Sequence, residues 1–307
     1  MDLIWIPISI FAALMQSVRT AAQKTLNQTM STMGTTYVRS LVGFPFLVAF
    51  LWGVVSLEGG GAPQWHPGFV AYCFVGGLCQ ILATALLIKL FTLKSFAVST
   101  MLIKSDVLMT AVIGSIWFSE VISTVGWIAL LAVISGVVLL SVGKLPQSKR
   151  EETGATLLEA LSSGATRVAV SCALMFTFSY LAIREATLVL EPGSFLWRGG
   201  WTVVTTTAMQ VLGLGAWLAV KERQVFAQLW PNRRIIGFIG FTSAMGSIGW
   251  FTAFALENAS YVRAVAQVEV IFTLAISWAY FREKINRLEY AGIAVTVLGI
   301  LLFRLVD

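Results

Sequence analysis

Seven ionisable residues lie inside long apolar runs of this 307-residue sequence, where a charged group is costly and usually serves a function. They are Arg19, Arg39, Lys104, Asp106, Arg198, Arg263 and Glu269. A buried base needs an anion to offset its lost hydration, whereas a buried acid can bind a proton or a cation. The chemistry indicated is the binding of small charged groups inside an apolar phase.

Helical spacing divides these groups between two faces. Residues two apart differ by about 200° around an ideal helix, so Lys104 and Asp106 point to nearly opposite sides. Lys104 shares its face with Thr100, and Arg263 shares an equivalent face with Gln267. We expect these four residues to bind the substrate while the acids meet neighbouring helices. The alternative places Asp106 and Glu269 in the cavity as a proton or cation site.

Tryptophans mark a second candidate surface. Trp197 and Trp201 are one helical turn apart with Arg198 between them, and Trp250 lies mid-run in a later segment. Such rings can stack on an aromatic or cationic ligand, and we include them with Arg198 among the predicted substrate-binding residues. Ordinary packing in an interfacial aromatic belt is the alternative.

Arg39 and Arg198 also suit structural ion pairs at helix ends. Pairing across the two halves of the chain predicts Arg39 with Glu283 and Arg198 with Glu120. Direct contact of either arginine with a ligand is the other interpretation.

No catalytic or nucleotide-binding motif is evident, and His66 is the only histidine, which leaves little material for a metal site or a catalytic triad. We therefore expect no cofactor, no metal and no enzyme activity. Hydrophobic residues make up 57% of the chain and charged residues 12%, which excludes an ordinary soluble domain. The net charge of +6 does not point to nucleic acid, because membrane proteins concentrate Lys and Arg in loops on one side.

Apolar runs of about 20 residues recur along the chain, each long enough to cross a bilayer. We predict an all-α polytopic membrane protein with ten transmembrane helices. Their predicted bounds are Leu3–Ala22, Thr36–Leu57, Phe69–Phe91, Phe96–Phe118, Val125–Val142, Val168–Ile183, Ser194–Val220, Ile235–Leu256, Ser260–Phe281 and Leu288–Leu305. A polar linker, 143–166, separates a first five-helix repeat, 1–142, from a second, 167–307.

The two repeats descend from a duplication. The pattern of residue types in 96–142 is repeated without a gap in 259–305, 163 positions later. Aligned pairs with shared chemistry, the first two after small register shifts, are Lys24 with Arg184, Arg39 with Arg198, Asp106 with Glu269, Glu120 with Glu283, and Gly136 with Gly299. Because each repeat has an odd number of spans, the second enters the membrane from the opposite side.

Loop charges predict the orientation. Connections on one side of the membrane carry twelve Lys and Arg residues, against two, Arg184 and Arg304, on the other. The positive-inside rule makes the basic side cytoplasmic, so both termini are expected outside the cell. We expect the membrane to be the bacterial inner membrane.

Several of these features together resemble the EamA-like family of the drug/metabolite transporter superfamily. They are Arg39 and Arg198, Phe118-Ser119-Glu120 with Gly136, and Phe281-Arg282-Glu283 with Gly292 and Gly299. The resemblance implies a secondary transporter, often an exporter of amino acids, other metabolites or drugs, with spans 1–4 and 6–9 lining a central cavity.

The leading hypothesis is a secondary transporter that exports a small amphipathic metabolite, an amino acid or an aromatic or carboxylate compound, by alternating access. A proton-coupled exporter of cationic drugs is the alternative. A membrane scaffold or an integral membrane enzyme is the hypothesis from another class. Glycines in spans five and ten suggest either tight helix contact or a homodimer through those spans.

Overall fold

The computed structural model describes residues 3–93, 103–143, 164–272 and 287–305, and within these ranges the regular structure is helical. The first half contains α1 (Trp5–Leu26), α2 (Thr32–Glu58), α3 (Pro67–Leu93), α4 (Asp106–Trp117) and α5 (Thr124–Gly143). The second half contains α6 (Gly164–Val189), α7 (Phe195–Lys221), the short α8 (Gln224–Leu229), α9 (Arg233–Leu256), α10 (Ala259–Val265) and α11 (Arg287–Leu302), followed by a 3₁₀ turn (Phe303–Leu305).

Five of these helices are long and apolar enough to cross a membrane, namely α2, α3, α6, α7 and α9. Shorter apolar helices cover Asp106–Trp117, Thr124–Leu139 and Tyr290–Leu302. Large apolar side chains such as Trp52, Ile116, Leu212 and Leu298 are exposed on the helix surfaces. A surface of this kind suits lipid, and the chain is a multi-pass membrane protein.

The helices α2 and α7 begin in the same way and have the same length. Ser31 caps α2 by accepting a hydrogen bond from the Gly34 amide, and Ser194 caps α7 through the Trp197 amide. Each helix has 27 residues. The helix α2 therefore begins at Thr32, four residues before the predicted Thr36. The prediction followed the apolar run, and the capping serine lies outside that run.

These two helices lie side by side in opposite directions. The Ser31 hydroxyl donates a 2.5 Å hydrogen bond to Glu222 just beyond α7, and the Ser194 hydroxyl donates a 2.6 Å bond to Glu58 at the end of α2. The start of each helix is therefore tied to the end of the other. These two equivalent helices of the two halves therefore run antiparallel.

Other helices also pack against partners from the opposite half. The α1–α9 contact is close because an added Cβ at Gly249 would meet Ala12 at 2.9 Å. Between α3 and α6, the Ser179 hydroxyl donates to the Gly76 carbonyl at 2.9 Å. Small residues let the backbones approach closely, as is common inside membranes.

The glycines of α5 and α11 face each other inside the chain. A Cβ on Gly136 would lie 2.5 Å from the Thr296 nitrogen, and one on Gly299 would lie 2.7 Å from the Val133 nitrogen. The glycine faces that suggested a homodimer are thus occupied within one chain. A homodimer through spans five and ten, on other faces of these helices, stays a prediction.

The prediction of continuous helices for spans four and nine is wrong. A turn at Lys104 and Ser105 precedes α4, and a turn at Ala266 and Gln267 follows α10 before helical residues resume at 268. In the 163-residue register Lys104 corresponds to Gln267, so both halves are interrupted at one equivalent point. Asp106 lies eleven residues before Trp117, or about 16 Å of helix, which places the interruption near the middle of the apolar layer.

Candidate functional site

The interrupted helices bring two opposite charges together. Arg263 Nη2 lies 2.7 Å from Asp106 Oδ2, and their side chains are only 4% and 1% exposed. The Arg263 guanidinium also lies over the rings of Tyr180, at 4.3 Å, and Trp250, at 5.4 Å. Carboxylate and aromatic faces together stabilise this cation where water is excluded.

A second ion pair also joins the two halves, but here the base lies in the first half and the acid in the second. Lys104 Nζ lies 3.2 Å from Glu269 Oε2, and both side chains are less buried, at 13% and 19% exposure. Gln16 connects the two pairs: its Nε2 donates to Glu269 at 3.5 Å, and its Oε1 accepts from Trp250 Nε1 at 3.2 Å. The four charges and the Gln16–Trp250 bridge form what we call the central site.

The central site corrects the predicted division of faces. Lys104 and Arg263 were expected to face the substrate with the acids turned away, yet each base contacts an acid. The 200° argument required a regular helix, and the turn at Lys104 removes that regularity. Gln267 is buried and donates to the Arg263 carbonyl at 3.2 Å, while Thr100 lies outside the described residues. The roles of these residues in substrate binding stay predictions.

Some contributors to the site were absent from the predicted set. Tyr180 and Thr177 come from α6, and Thr177 Oγ1 lies 3.2 Å from Thr110 Oγ1 and 3.3 Å from the Asp106 carbonyl. Gln16 was likewise overlooked. A polar side chain three residues before Arg19 in an apolar run was the available signal, since the two share one side of α1.

A polar network surrounds Arg39. Its guanidinium donates to Thr84 Oγ1 at 3.2 Å and to Gln80 Oε1 at 2.5 Å. Gln210 donates to the same Gln80 oxygen and accepts from Ser40, both at 2.8 Å. The predicted partner Glu283 lies outside the described residues, so that pairing is untested.

The structure separates Trp250 from Trp197 and Trp201, whose rings lie edge to face with their centroids 6.5 Å apart. Trp197 donates through Nε1 to the Gly61 carbonyl at 3.1 Å, and Trp201 lies edge-on to Trp65 at 5.9 Å. Trp197 also borders a cavity of about 780 Å³ lined by the 58–66 loop and the turn before α7. Only Trp250 joins Arg263. The Trp197 and Trp201 contacts agree with packing at a helix end, and a role of either ring in ligand binding stays a prediction.

The sequence profile of the EamA-like transporter family matches residues 3–142 and again residues 165–305. The chain belongs to the EamA-like transporter family. The resemblance found in the sequence is confirmed, and the protein is a membrane transporter of the drug/metabolite superfamily.

Solved structures agree on the fold. The crystal structure of another protein matches with a TM-score of 0.66 and 14% identity, over 98% of this chain and 97% of that one. At that identity the likeness concerns the fold alone. It is among 28 matching chains of solved structures. No curated protein matches the chain.

In this EamA-like transporter, Glu120 holds the start of α10. Its carboxylate accepts bonds from the Ala259 amide at 2.7 Å, the Ser260 amide at 3.4 Å and the Ser260 hydroxyl at 2.5 Å. A carboxylate at this position satisfies amides that have no partner within the helix. Arg184 Nε lies 3.5 Å from the same carboxylate.

Arg184 extends this contact to the turn between α9 and α10. It donates to the Phe254 carbonyl at 2.8 Å, to the Glu257 carbonyl, and to Asn258 Oδ1 at 3.0 Å. Burial raises the pKa of the Glu257 carboxyl above its ordinary value. We call the set Glu120, Arg184, Asn258 and Ser260 the Glu120 clasp, and it ties α4 and α6 to the turn before α10.

The predicted Arg198–Glu120 pair is therefore wrong. Arg198 Nη1 lies 2.6 Å from Glu191 Oε1, and its Nη2 donates to the Ala255 carbonyl at 2.9 Å. Counted from the serine caps, Arg198 is the fourth residue of its helix and Arg39 is the eighth of its own. The two arginines thus differ in depth by about one helical turn, and the sequence alignment that equated them was off by that amount.

Proposed function

We propose that this EamA-like protein is a secondary transporter that exports a small amphipathic metabolite by alternating access. The observation that carries the proposal is the central site, where both halves are interrupted at equivalent positions and meet through Asp106–Arg263 and Lys104–Glu269. Interrupted helices with charges at the middle of the membrane are typical of transport sites in repeat-built transporters.

The arrangement also supports a rocking motion. Ten spans in two inverted repeats, 1–142 and 167–307 with a linker at 143–166, would let one half move against the other. The antiparallel contact of α2 with α7 supports this organisation, since each helix cap is held by the partner helix. Breaking and remaking such paired contacts gives two alternative packings of similar energy.

Flux measurements test the function. Purified protein in liposomes should take up a radiolabelled metabolite from a panel of amino acids and aromatic carboxylates, and the initial rate should saturate with concentration. Empty liposomes and liposomes with Arg263→Gln serve as controls. If no compound of the panel moves faster than in empty liposomes, the transport proposal fails.

Export of cationic drugs in exchange for protons is the second candidate function. In it, Asp106 and Glu269 would bind the drug and the protons. In the described residues Asp106 and Glu269 each carry a basic partner. A cationic drug would first have to displace Arg263 or Lys104, which favours the metabolite proposal.

A further inference from the structure

Arg19 is a buried cation without a visible counter-ion. Its side chain is 7% exposed, its Nε has no hydrogen-bond partner, and no ion pair to it occurs in the described residues. Arg19 lies one turn beyond Gln16 on the same side of α1, and Gln16 donates to Glu269 at 3.5 Å, so Arg19 borders the central site. Leaving a guanidinium desolvated and unpaired is unfavourable unless another anion binds it at some stage.

Arg39 lies nearby in a neutral environment. It is 6% exposed, and its described partners, Thr84 and Gln80, carry no charge. An added Cβ at Gly249 would meet Ala12 at 2.9 Å and one at Gly246 would meet Met15 at 3.4 Å, so α1 and α9 run antiparallel. This places Arg19 near the level of Ser243, which lines the same void as Arg39. Two buried guanidiniums with no ion pair among the described residues form an incomplete site, because each raises the energy of the other until an anion arrives.

The charge balance of the buried region supports the same conclusion. Within the described residues the central site uses Asp106 and Glu269 to neutralise Arg263 and Lys104. Arg19 and Arg39 are then two positive charges in excess.

The space beside Arg39 is polar and nearly closed in this conformation. The void measures about 10 Å³ and is lined by Arg39, Ser40, Gln80, Thr207, Gln210, Ser243 and Ser247, with Leu47 and Ala244. That volume holds about one water. A metabolite would require the halves to separate there, as alternating access provides, and would then meet hydroxyl and amide groups next to the guanidinium.

We infer that Arg19 and Arg39 together bind the anionic group of a small organic anion, and that the transporter holds its substrate through this group. The inference rests on the proposed transport function and adds a substrate class to it. Guanidiniums pair with planar oxyanions through two parallel hydrogen bonds, which gives a carboxylate the best geometry.

Ligand-dependent thermal stability of the full-length protein in nanodiscs tests this site. The probes are benzoate with benzamide, succinate with succinamide, and inorganic phosphate; each amide is the neutral match of its acid. The anions should raise the melting temperature with saturation, because a ligand stabilises the state that it binds, and the amides should not. Comparison of benzoate with succinate and phosphate shows whether the site prefers a single carboxylate or a doubly charged anion.

Three variants make the site assignment specific. Arg19→Gln and Arg39→Gln should weaken anion binding by about tenfold or more, since a charge-assisted pair is lost, and Arg39→Lys should recover part of it. Arg234→Gln, at an exposed arginine of α9, should bind as the wild type does. Without ligand, Arg19→Gln should melt at the same temperature as the wild type or higher, because the variant removes an uncompensated charge.

Three results would contradict the anion site. The anion site is wrong if no anion stabilises the protein, if both Gln variants bind anions as tightly as Arg234→Gln, or if Arg19→Gln melts well below the wild type without ligand. Flux in liposomes separates this failure from that of transport. Saturable flux of the amides, unaffected by Arg19→Gln, would keep the transporter and remove the anion site. Anion binding without flux of any probe would keep the site and remove the transport function.

Discussion

Arg263, in the second half of the chain, donates a 2.7 Å hydrogen bond from Nη2 to Oδ2 of Asp106 in the first half. The companion pair reverses the arrangement, with the base Lys104 in the first half and the acid Glu269 in the second. In the repeat register Asp106 and Glu269 are equivalent. Two equivalent acids therefore each bind a base from the opposite half, and the pairs join the halves at the middle of the membrane.

Asp106→Asn should destabilise the protein strongly. The change leaves Arg263 buried without its counter-ion, at a cost of about 3–5 kcal/mol. We expect a lower melting temperature in detergent and loss of flux. The double variant Asp106→Asn/Arg263→Gln should be more stable than Asp106→Asn alone, since no charge is stranded. Simple additivity of the two single effects would contradict a direct pair.

Glu120→Gln should weaken the clasp at the start of α10. The amide loses the charge that Arg184 approaches at 3.5 Å and binds the helix amides less strongly, for a loss of about 3 kcal/mol. The measurement is the melting temperature in detergent. Glu191→Gln is the matched control, because Glu191 pairs with Arg198 but its side chain is 59% exposed. Equal shifts for both variants would argue against the clasp.

Glu283 should pair with Lys24 rather than Arg39. Glu120 binds Arg184, and the repeat aligns these two residues with Glu283 and Lys24. A double-mutant cycle of Lys24→Gln with Glu283→Gln should show a coupling energy of about 0.5 kcal/mol or more. The cycle of Arg39→Gln with Glu283→Gln should be additive. Coupling confined to the Arg39 cycle would restore the pairing predicted from sequence.

Gly136→Ala should disturb the contact between α5 and α11. The new Cβ would lie 2.3 Å from Thr296 Oγ1 and 2.5 Å from the Thr296 nitrogen, so the helix backbones must separate. We expect a loss of about 1–3 kcal/mol, seen as a lower melting temperature. Gly53→Ala is the control, because nothing lies within 4 Å of its added Cβ. It should be neutral or slightly stabilising.

Both termini should lie outside the cell. Twelve of the loop Lys and Arg residues fall on the opposite side, which the positive-inside rule makes cytoplasmic. Green fluorescent protein fused after Asp307 should stay dark, since it does not mature when exported unfolded, whereas alkaline phosphatase at the same point should be active. The reverse pattern would invert the orientation and leave the fold unchanged.

The sequence alone determined the class of protein, the duplication and the family. Apolar run length and composition are local properties, and a bilayer imposes them on each segment separately. The register that aligns Asp106 with Glu269 and Gly136 with Gly299 is likewise visible without coordinates. The same linear information located most of the buried charges, including Arg19, Lys104 and Arg263.

Only the tertiary structure decided which of those charges meet. Lys104 and Asp106 were assigned to opposite faces, but the turn at Lys104 and Ser105 ends the regular helix on which that assignment depended. Arg198 was paired with Glu120, yet its position four residues beyond the Ser194 cap directs it to Glu191. The partner of a buried charge depends on which helices are neighbours and on their relative depth. Those relations arise from packing between segments distant in the chain, and no local pattern records them.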